Sequence, residues 1–338
     1  MNEMTMPPLA HPVDPGQAGM SASRLEETRA WIEGRTGSGP YGCLIARRGT
    51  VAAEWVGGGF TAQSRFEIGS IRKSFNSALI GIGLRDGIVD LDARAADWWP
   101  ELLALSGDEA DRAITLRQLA SGVSGWLTPD PPGTVWRYNN AAFTAAERVV
   151  ARMYGLVDDE ISGDEISSLV VRRFKEPLGA SSWNVYHFPR ALSAQHGNPG
   201  PKLAIDSTLR DLVKWGQLWL DKGVWPGKTL IPEDWVARAT RPANPGLAGA
   251  HYGYNWFVNA GRALWPGAPP DAYGHPGNGT FKPSQEPSRA TLWVCPSLDL
   301  VAAIVAPVTA GFANDYLEVP QTVTAEWVGR MVRSVVRE

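Results

Sequence analysis

The chain has 338 residues, 44% of them hydrophobic, which is enough to bury a substantial core. Its 32 basic and 35 acidic residues are interspersed and leave a net charge of −3, so we expect neither nucleic acid nor a membrane surface as a partner. No apolar stretch has the length and purity of a membrane span.

The N-terminal residues 1–20 lack the composition of a secretory signal, because they contain no lysine, no arginine and no continuous apolar stretch. The two cysteines, Cys43 and Cys295, lie in apolar runs, where a buried and reduced thiol is the common state. We therefore expect a cytoplasmic protein in which residues 1–20 form an extension and residues 21–338 form one domain.

A helix and a β-hairpin are the first predicted elements. Ser23 and Glu26 fit a capping box for a helix that ends near Gly34. The pattern in residues 41–46 and 51–56 is typical of two strands joined by a tight turn. This part of the chain therefore predicts a helix followed by an antiparallel strand pair.

The next helix is predicted to begin at Ser70. Residues 66–68 alternate like a short strand, and the apolar residues after Ser70 recur at helical spacing until Asp86. Ser70 therefore lies where the N-cap of this helix would be. Lys73, in the first turn, is unusual because the helix dipole disfavours a cation there.

The remaining elements change from helices to strands. Helical periodicity predicts helices at residues 115–120, 140–153, 166–174, 207–222 and 232–239. Strands are predicted at residues 252–258, 290–294 and 300–306, followed by a closing helix at residues 322–336. This order predicts an α/β fold of the α+β type, with one antiparallel sheet built from the N- and C-terminal segments and flanked by helices. A mainly helical lobe would be inserted at roughly residues 88–245.

Ser70 and Lys73 form the first chemical motif. Because they are three residues apart on a helix, their hydroxyl and amine lie on one face, as a nucleophile and its base would. The alternative is a capping serine followed by a solvent-exposed lysine. The tetrapeptide alone is consistent with both interpretations.

Two later segments carry further polar motifs. They are Trp136-Arg137-Tyr138-Asn139-Asn140 and Tyr273-Gly274-His275-Pro276-Gly277-Asn278-Gly279. After Ser70 to Lys73, this order resembles the motifs S-x-x-K, Y-x-N and K-T-G, or its histidine-containing equivalent, of the serine β-lactamase and penicillin-binding-protein superfamily. The surrounding sequence is similar to the branch that holds class C β-lactamases, family VIII esterases and 6-aminohexanoate-dimer hydrolases. The resemblance spans residues 20–335.

The resemblance implies catalytic roles for three residues. Ser70 would attack a carbonyl carbon to form an acyl-enzyme, and Lys73 would accept its proton after losing most of its own charge. Tyr138 would share that proton and deliver it to the leaving group. By itself this tyrosine also fits a core aromatic residue.

The resemblance also implies four substrate-binding residues, Asn140, His275, Gly277 and Asn278. Asn140 would hydrogen-bond the lysine or a substrate amide, or would cap the helix that follows it. His275 and Gly277 would lie on an edge strand lining the cleft, with a turn histidine as the alternative for His275. The Asn278 N–H would join the Ser70 N–H in an oxyanion hole.

The expected function is a serine hydrolase that cleaves an ester or amide bond of a small molecule through an acyl-Ser70 intermediate. Residues 21–338 would be its catalytic domain. Histidines at metal-ligand spacing and a phosphate-loop pattern are missing from the sequence, so we expect no metal and no organic cofactor. The alternatives are an acyltransferase on the same fold and an acyl-binding sensor without turnover. The oligomeric state stays open.

Overall fold

The computed structural model describes residue 9 and residues 14–156, 165–188, 202–249, 251–312 and 322–336. Its strands are β1 (Tyr41–Arg47), β2 (Thr50–Gly57), β3 (Arg65–Glu67), β4 (Asn184–Phe188), β5 (Lys202–Ser207), β6 (Val224–Trp225), β7 (Lys228–Thr229), β8 (Phe257–Val258), β9 (Tyr273–Lys282), β10 (Pro287–Cys295) and β11 (Leu300–Pro307). Within the described residues, nine strands form one antiparallel sheet in the order β2-β1-β11-β10-β9-β3-β5-β4, and β8 pairs with β9. β6 and β7 form a separate hairpin.

Helices cover both faces of the sheet. They are α1 (Ala22–Thr36), α2 (Lys73–Arg85), α3 (Ala95–Trp98), α4 (Glu101–Ser106), α5 (Leu116–Ser121), α6 (Asn140–Met153), α7 (Glu165–Val170), α8 (Glu176–Leu178), α9 (Leu209–Leu220), α10 (Glu233–Ala239) and α11 (Thr322–Ser334). A π-helical turn at Val171–Lys175 joins α7 to α8, and short 3₁₀ helices occupy Gly69–Arg72, Glu109–Ala113, Ala260–Arg262, Pro296–Leu298 and Val308–Ala310.

β1 is buried along its whole length because its alternate side chains enter two different cores. Leu44 and Ala46 belong to the core that contains residues of α2 and α9. Cys43 and Ile45 belong to the core that contains residues of α1 and α11. The sheet therefore lies between two helical layers, and both cysteines are free and buried, as predicted.

The predicted α/β fold, with an antiparallel sheet built from both terminal segments, is confirmed. β1 pairs with β11 along its length, and Met20 forms an isolated bridge with Val335. The predicted hairpin is β1 and β2, and α6 has the predicted bounds. The N- and C-terminal parts of the described chain therefore lie beside each other, as neighbouring strands of the sheet and at the Met20–Val335 bridge.

The predicted capping box of the first helix is wrong. Ser21, rather than Ser23, caps α1 by accepting a hydrogen bond from the Arg24 backbone N–H, and the helix continues to Thr36. The Ser21 backbone N–H donates to the Ser334 carbonyl, and Ser21 itself has extended dihedral angles. The helix begins at Ala22, directly after the hydrogen bond between Ser21 and Ser334.

The predicted strand at residues 252–258 is also largely wrong. Only Phe257 and Val258 lie in a strand, because Asn255 adopts a left-handed conformation with a φ of 62°. Conversely, β4 and β5 belong to the sheet although we predicted only helices and loops in that region. These two short strands extend the sheet beside the turn that carries Ser70.

β9 lies inside the sheet, so the prediction of an edge strand is wrong. It pairs with β10 along its length and with β3 and β8 only at its two ends. Its middle segment instead lies against the turn before α2, where a Cβ at Gly277 would collide with the Ile68 carbonyl oxygen. Gly69 has a φ of 54°, and a Cβ there would collide with the Asn278 carbonyl oxygen. Only glycine permits this approach of two backbones.

Replacing Gly277 by alanine is expected to lower the free energy of unfolding by about 1–3 kcal/mol, because the added methyl group forces the two backbones apart. Gly34→Ala is the matched control, since a Cβ at this helical position would meet no described atom within 4 Å. It is expected to leave stability unchanged or to raise it by about 0.5–1 kcal/mol. Urea unfolding followed by circular dichroism measures both changes, and equal stability of the two variants would contradict the proposed close contact.

Candidate active site

Ser70 lies in the 3₁₀ turn that precedes α2, and the prediction that it caps the helix is wrong. Arg72 holds the N-cap position and makes no capping hydrogen bond with its side chain. The left-handed Gly69 turns the chain so that a 3₁₀ helix forms first. The Ser70 hydroxyl is therefore free to face Lys73, whose Nζ lies 2.9 Å from Ser70 Oγ.

Lys73 is the centre of the site. Its Nζ lies 2.9 Å from Ser70 Oγ, 2.8 Å from the Tyr138 hydroxyl and 2.9 Å from Asn140 Oδ1. The residue is only 2% exposed, so the alternative of a solvent-exposed lysine is excluded. The structure thus brings together the three residues that the resemblance linked to catalysis, together with Asn140.

The surroundings of Lys73 favour a neutral amine. Burial, followed by the positive charges of Arg72 and Lys202, holds the pKa of Lys73 well below its ordinary value, and Glu147 only partly opposes this shift. The three oxygens in contact with Nζ belong to uncharged groups. Asn140 Oδ1 can only accept and takes one amine N–H, which leaves the amine lone pair for the Ser70 proton.

Tyr138 serves as a packed aromatic residue and also presents a polar group to the site. Its ring stacks on Phe257 and packs against Phe143 and Tyr252, while its hydroxyl contacts Lys73. Burial raises the pKa of Tyr138 well above its ordinary value, although its hydrogen bond with Ser70 opposes this. The phenol therefore keeps its proton, and Lys73 is the group able to act as the base.

Asn140 is the first residue of α6 and does not cap it. Asn139 takes that role, because its Oδ1 accepts a hydrogen bond from the Ala142 backbone N–H. Asn139 thus caps the helix, whereas the neighbouring Asn140 belongs to the site. The Asn140 side chain is left to hold the Lys73 amine in place.

His275 is fully buried and belongs to β9, so the alternative of a turn histidine is excluded. Burial, followed by the charge of Lys73, holds the pKa of His275 well below its ordinary value. Its Nδ1 lies 2.7 Å from the Pro276 carbonyl oxygen, which can only accept, so Nδ1 carries the proton of the neutral ring. Its Nε2 lies 3.4 Å from the Tyr252 hydroxyl, which donates to it. The histidine therefore positions Tyr252 beside Tyr138 without contacting Lys73 directly.

Gly277 and Asn278 lie next to Ser70. A Cβ built on Gly277 would lie 3.2 Å from the Ser70 backbone nitrogen. The Ser70 N–H belongs to the first turn of its 3₁₀ helix, where backbone donors have no acceptor within the helix. Asn278 follows directly and lines the same cavity as Ser70.

A buried ionic network supports this arrangement. Glu147, on α6, accepts hydrogen bonds from Arg72 and Arg148 and from the Leu203 backbone N–H at the start of β5. Burial alone would raise the pKa of Glu147, but the charges of Arg72 and Arg148 more than offset it and hold the pKa below its ordinary value. Glu147 thereby ties the turn before α2 to β5, a connection that the sequence did not indicate.

A cavity of about 490 Å³ opens beside Ser70. Four residues of the predicted site line this cavity, namely Ser70, Lys73, Asn140 and Asn278. Other parts of its wall come from residues that we did not predict, namely Glu67, Gly69, Arg72, Phe188, Lys202, Gly279, Thr280, Lys282, Gln285 and Pro287. Lys202 begins β5, whose short apolar run of Leu203, Ala204 and Ile205 does not distinguish a strand from a helix, so the sequence carried no clear signal for this wall.

The described residues contain neither a metal-binding cluster nor a membrane-spanning helix. No group of three or more His, Cys, Asp or Glu side chains in them is arranged to hold a metal ion. None of the helices in this part of the chain has both the length and the hydropathy required to cross a bilayer.

Comparison with known proteins points to one family. A family model described as Beta-lactamase matches residues 33–315. Penicillin-binding protein 4 of Amycolatopsis lactamdurans is 24% identical over 316 residues, which cover 77% of this chain and 75% of that protein.

Solved structures share the fold at low sequence identity. The octameric penicillin-binding protein homologue from Pyrococcus abyssi has a TM-score of 0.66 at 14% identity, covering 94% of this chain and 79% of its own. A Bacillus anthracis protein named as a 6-aminohexanoate-dimer hydrolase has a TM-score of 0.66 at 15% identity, covering 96% of this chain and 88% of its own. The match of the family model over most of the chain confirms the resemblance seen in the motifs, and the protein belongs to the beta-lactamase family.

Proposed function

We propose that this protein is a serine hydrolase that cleaves an ester or amide bond of a small molecule through an acyl-Ser70 intermediate. One observation carries the proposal: a desolvated lysine amine lies 2.9 Å from Ser70 Oγ and 2.8 Å from the Tyr138 hydroxyl. A hydroxyl becomes an effective nucleophile when a neutral base within hydrogen-bond distance accepts its proton. The arrangement supplies that base and a second proton carrier.

Acylation follows from these contacts. Lys73 accepts the Ser70 proton as Oγ attacks the carbonyl carbon, and the carbonyl oxygen becomes an oxyanion. The Ser70 and Asn278 N–H groups are the proposed donors to that oxyanion. Tyr138 gives its proton to the leaving group and regains one from the Lys73 ammonium, so the acyl-enzyme forms with Lys73 neutral again.

Deacylation uses the same groups in the reverse direction. Water attacks the acyl carbonyl as Lys73 accepts its proton, and Ser70 Oγ leaves with that proton. The cavity of about 490 Å³ beside Ser70 fits a small-molecule substrate. The name of the Bacillus anthracis structure, a 6-aminohexanoate-dimer hydrolase, supports an amide among the candidate substrates.

Ser70→Ala is expected to lower kcat/KM for 4-nitrophenyl butyrate by about 10⁴-fold or more, because the attacking atom is removed. A fluorophosphonate probe should add one phosphonyl group at Ser70, detected by mass spectrometry of the tryptic peptides. Ser284→Ala, at an exposed serine, is the control and should keep wild-type activity. Full activity of Ser70→Ala would refute the proposal, and one-time release of 4-nitrophenol without turnover would favour the acyl-binding sensor instead.

Tyr138→Phe is expected to affect poor leaving groups most, because 4-nitrophenolate departs without a proton whereas an amine does not. We expect a loss of about a hundredfold or more in kcat on an anilide, against a much smaller loss on a 4-nitrophenyl ester. Tyr252→Phe removes a neighbouring hydroxyl and should change both rates by the same small factor. Equal losses on both substrates for Tyr138→Phe would argue against proton delivery by this phenol.

The pH dependence should show the lowered pKa of Lys73. Because the neutral amine is the active form, kcat/KM falls as pH drops through this lowered pKa and levels off above it. A lysine with an ordinary pKa of about 10.4 would instead give a rate that still rises at pH 10. Lys73→Arg, whose guanidinium stays protonated, should be inactive from about pH 6 to pH 10. An active Lys73→Arg variant would exclude Lys73 as the base.

A further inference from the structure

One wall of the cavity carries an ammonium group, that of Lys202, with no described carboxylate within ion-pair distance, although Glu67 lines the same cavity. Lys202 begins β5, and its Nζ lies 4.7 Å from the centre of the Phe188 ring on β4. Its neighbour Lys282 is different, since it lies 3.7 Å from Asp206 and donates a hydrogen bond to Gln285. Among the residues that the structure describes, Lys202 is therefore the cation of this wall that is free to bind a ligand.

Nearby carboxylates do not compensate for the burial of Lys202. Asp206 is already engaged by Lys282, by the Asn184 amide and by the Tyr186 hydroxyl. Burial, followed by the charge of Arg72, lowers the pKa of Lys202 to about 8 despite the opposing charges of Glu67 and Glu147. An anion that enters the cavity would stabilise a half-buried cation of this kind by pairing with its charge.

The position of the cavity shows which part of a substrate would reach Lys202. The cavity extends from Ser70 along the second half of β9, past Gly279 and Thr280 to Lys282. Tyr138 and His275 do not line it. Because the leaving group departs towards its proposed proton donor, Tyr138, we place the acyl group in the cavity.

We propose that Lys202 binds a carboxylate at the far end of the acyl group, so that the preferred substrates are monoesters or monoamides of dicarboxylic acids. This inference rests on the proposed hydrolase function and assigns its substrate class. The cavity of about 490 Å³ has room for such an acyl chain between the nucleophile and β5. The aromatic face of Phe188 lies beside the ammonium and the methylene groups of the chain would pack along β9.

The experiment compares two esters that differ only in the distal charge: 4-nitrophenyl hydrogen adipate and 4-nitrophenyl methyl adipate. Rates at pH 7 are corrected for spontaneous hydrolysis, and the ratio of the two kcat/KM values is the readout. We expect wild type to favour the monoester by about tenfold or more, as a charge-assisted hydrogen bond would provide. Lys202→Met should reduce this ratio to near one, whereas Lys228→Met, at an exposed lysine of β7, should keep it.

A second measurement needs no variant and stands even where Lys202→Met fails to fold. Raising the salt concentration from about 0.05 M to about 0.5 M should lower the wild-type ratio, because salt screens the attraction between the two charges. A wild-type ratio near one, or a ratio unchanged by Lys202→Met, would overturn the inference about Lys202. Absence of Ser70-dependent hydrolysis of both esters would instead overturn the proposed function, so the two failures are distinguishable.

Discussion

The contact between the backbone of β9 and the turn that carries Ser70 is the constraint on which the rest of the site depends. Between the points where β3 and β8 pair with β9, the turn from Ile68 to Ser70 takes the place of a neighbouring strand. A methyl group at position 69 or 277 would overlap a main-chain oxygen, so glycine is a requirement there. The sheet thus fixes Ser70, the proposed nucleophile, directly through main-chain packing, without relying on a flexible side chain.

A second constraint is electrostatic. Among the described residues, each oxygen within hydrogen-bond distance of the Lys73 amine belongs to an uncharged group, and the buried carboxylate of Glu147 is engaged by Arg72 and Arg148. A carboxylate paired directly with Lys73 would restore its charge and remove the base. The buried ion network therefore places the positive charge of Arg72 near Lys73, while the negative charge of Glu147 only partly opposes its effect on the lysine pKa. Glu147 also anchors β5 through the Leu203 N–H.

The sequence predicted the parts of this structure that depend on local spacing. Ser70 and Lys73 meet because residues three apart share one face of a helical turn, and the hairpin of β1 and β2 followed from alternation and a glycine turn. Tyr138 and His275 were placed only by family resemblance, since long-range proximity leaves no local signal. The sequence could not decide whether Asn139 or Asn140 caps α6, because the two amides are adjacent and either could begin the helix. It also did not show the wall that carries Lys202, because the strands that form this wall are too short to be recognised by their periodicity.

The proposed role of Lys73 as a base requires three distant parts of the chain to enclose its amine. The turn before α2, the start of α6 and the middle of β9 are separated by long stretches of sequence, and each supplies part of the enclosure. In a nascent or misfolded polypeptide, water reaches this lysine and keeps it as an ordinary hydrated ammonium ion. By the proposed mechanism the serine beside it then lacks its base, so covalent labelling at Ser70 itself would report folded molecules.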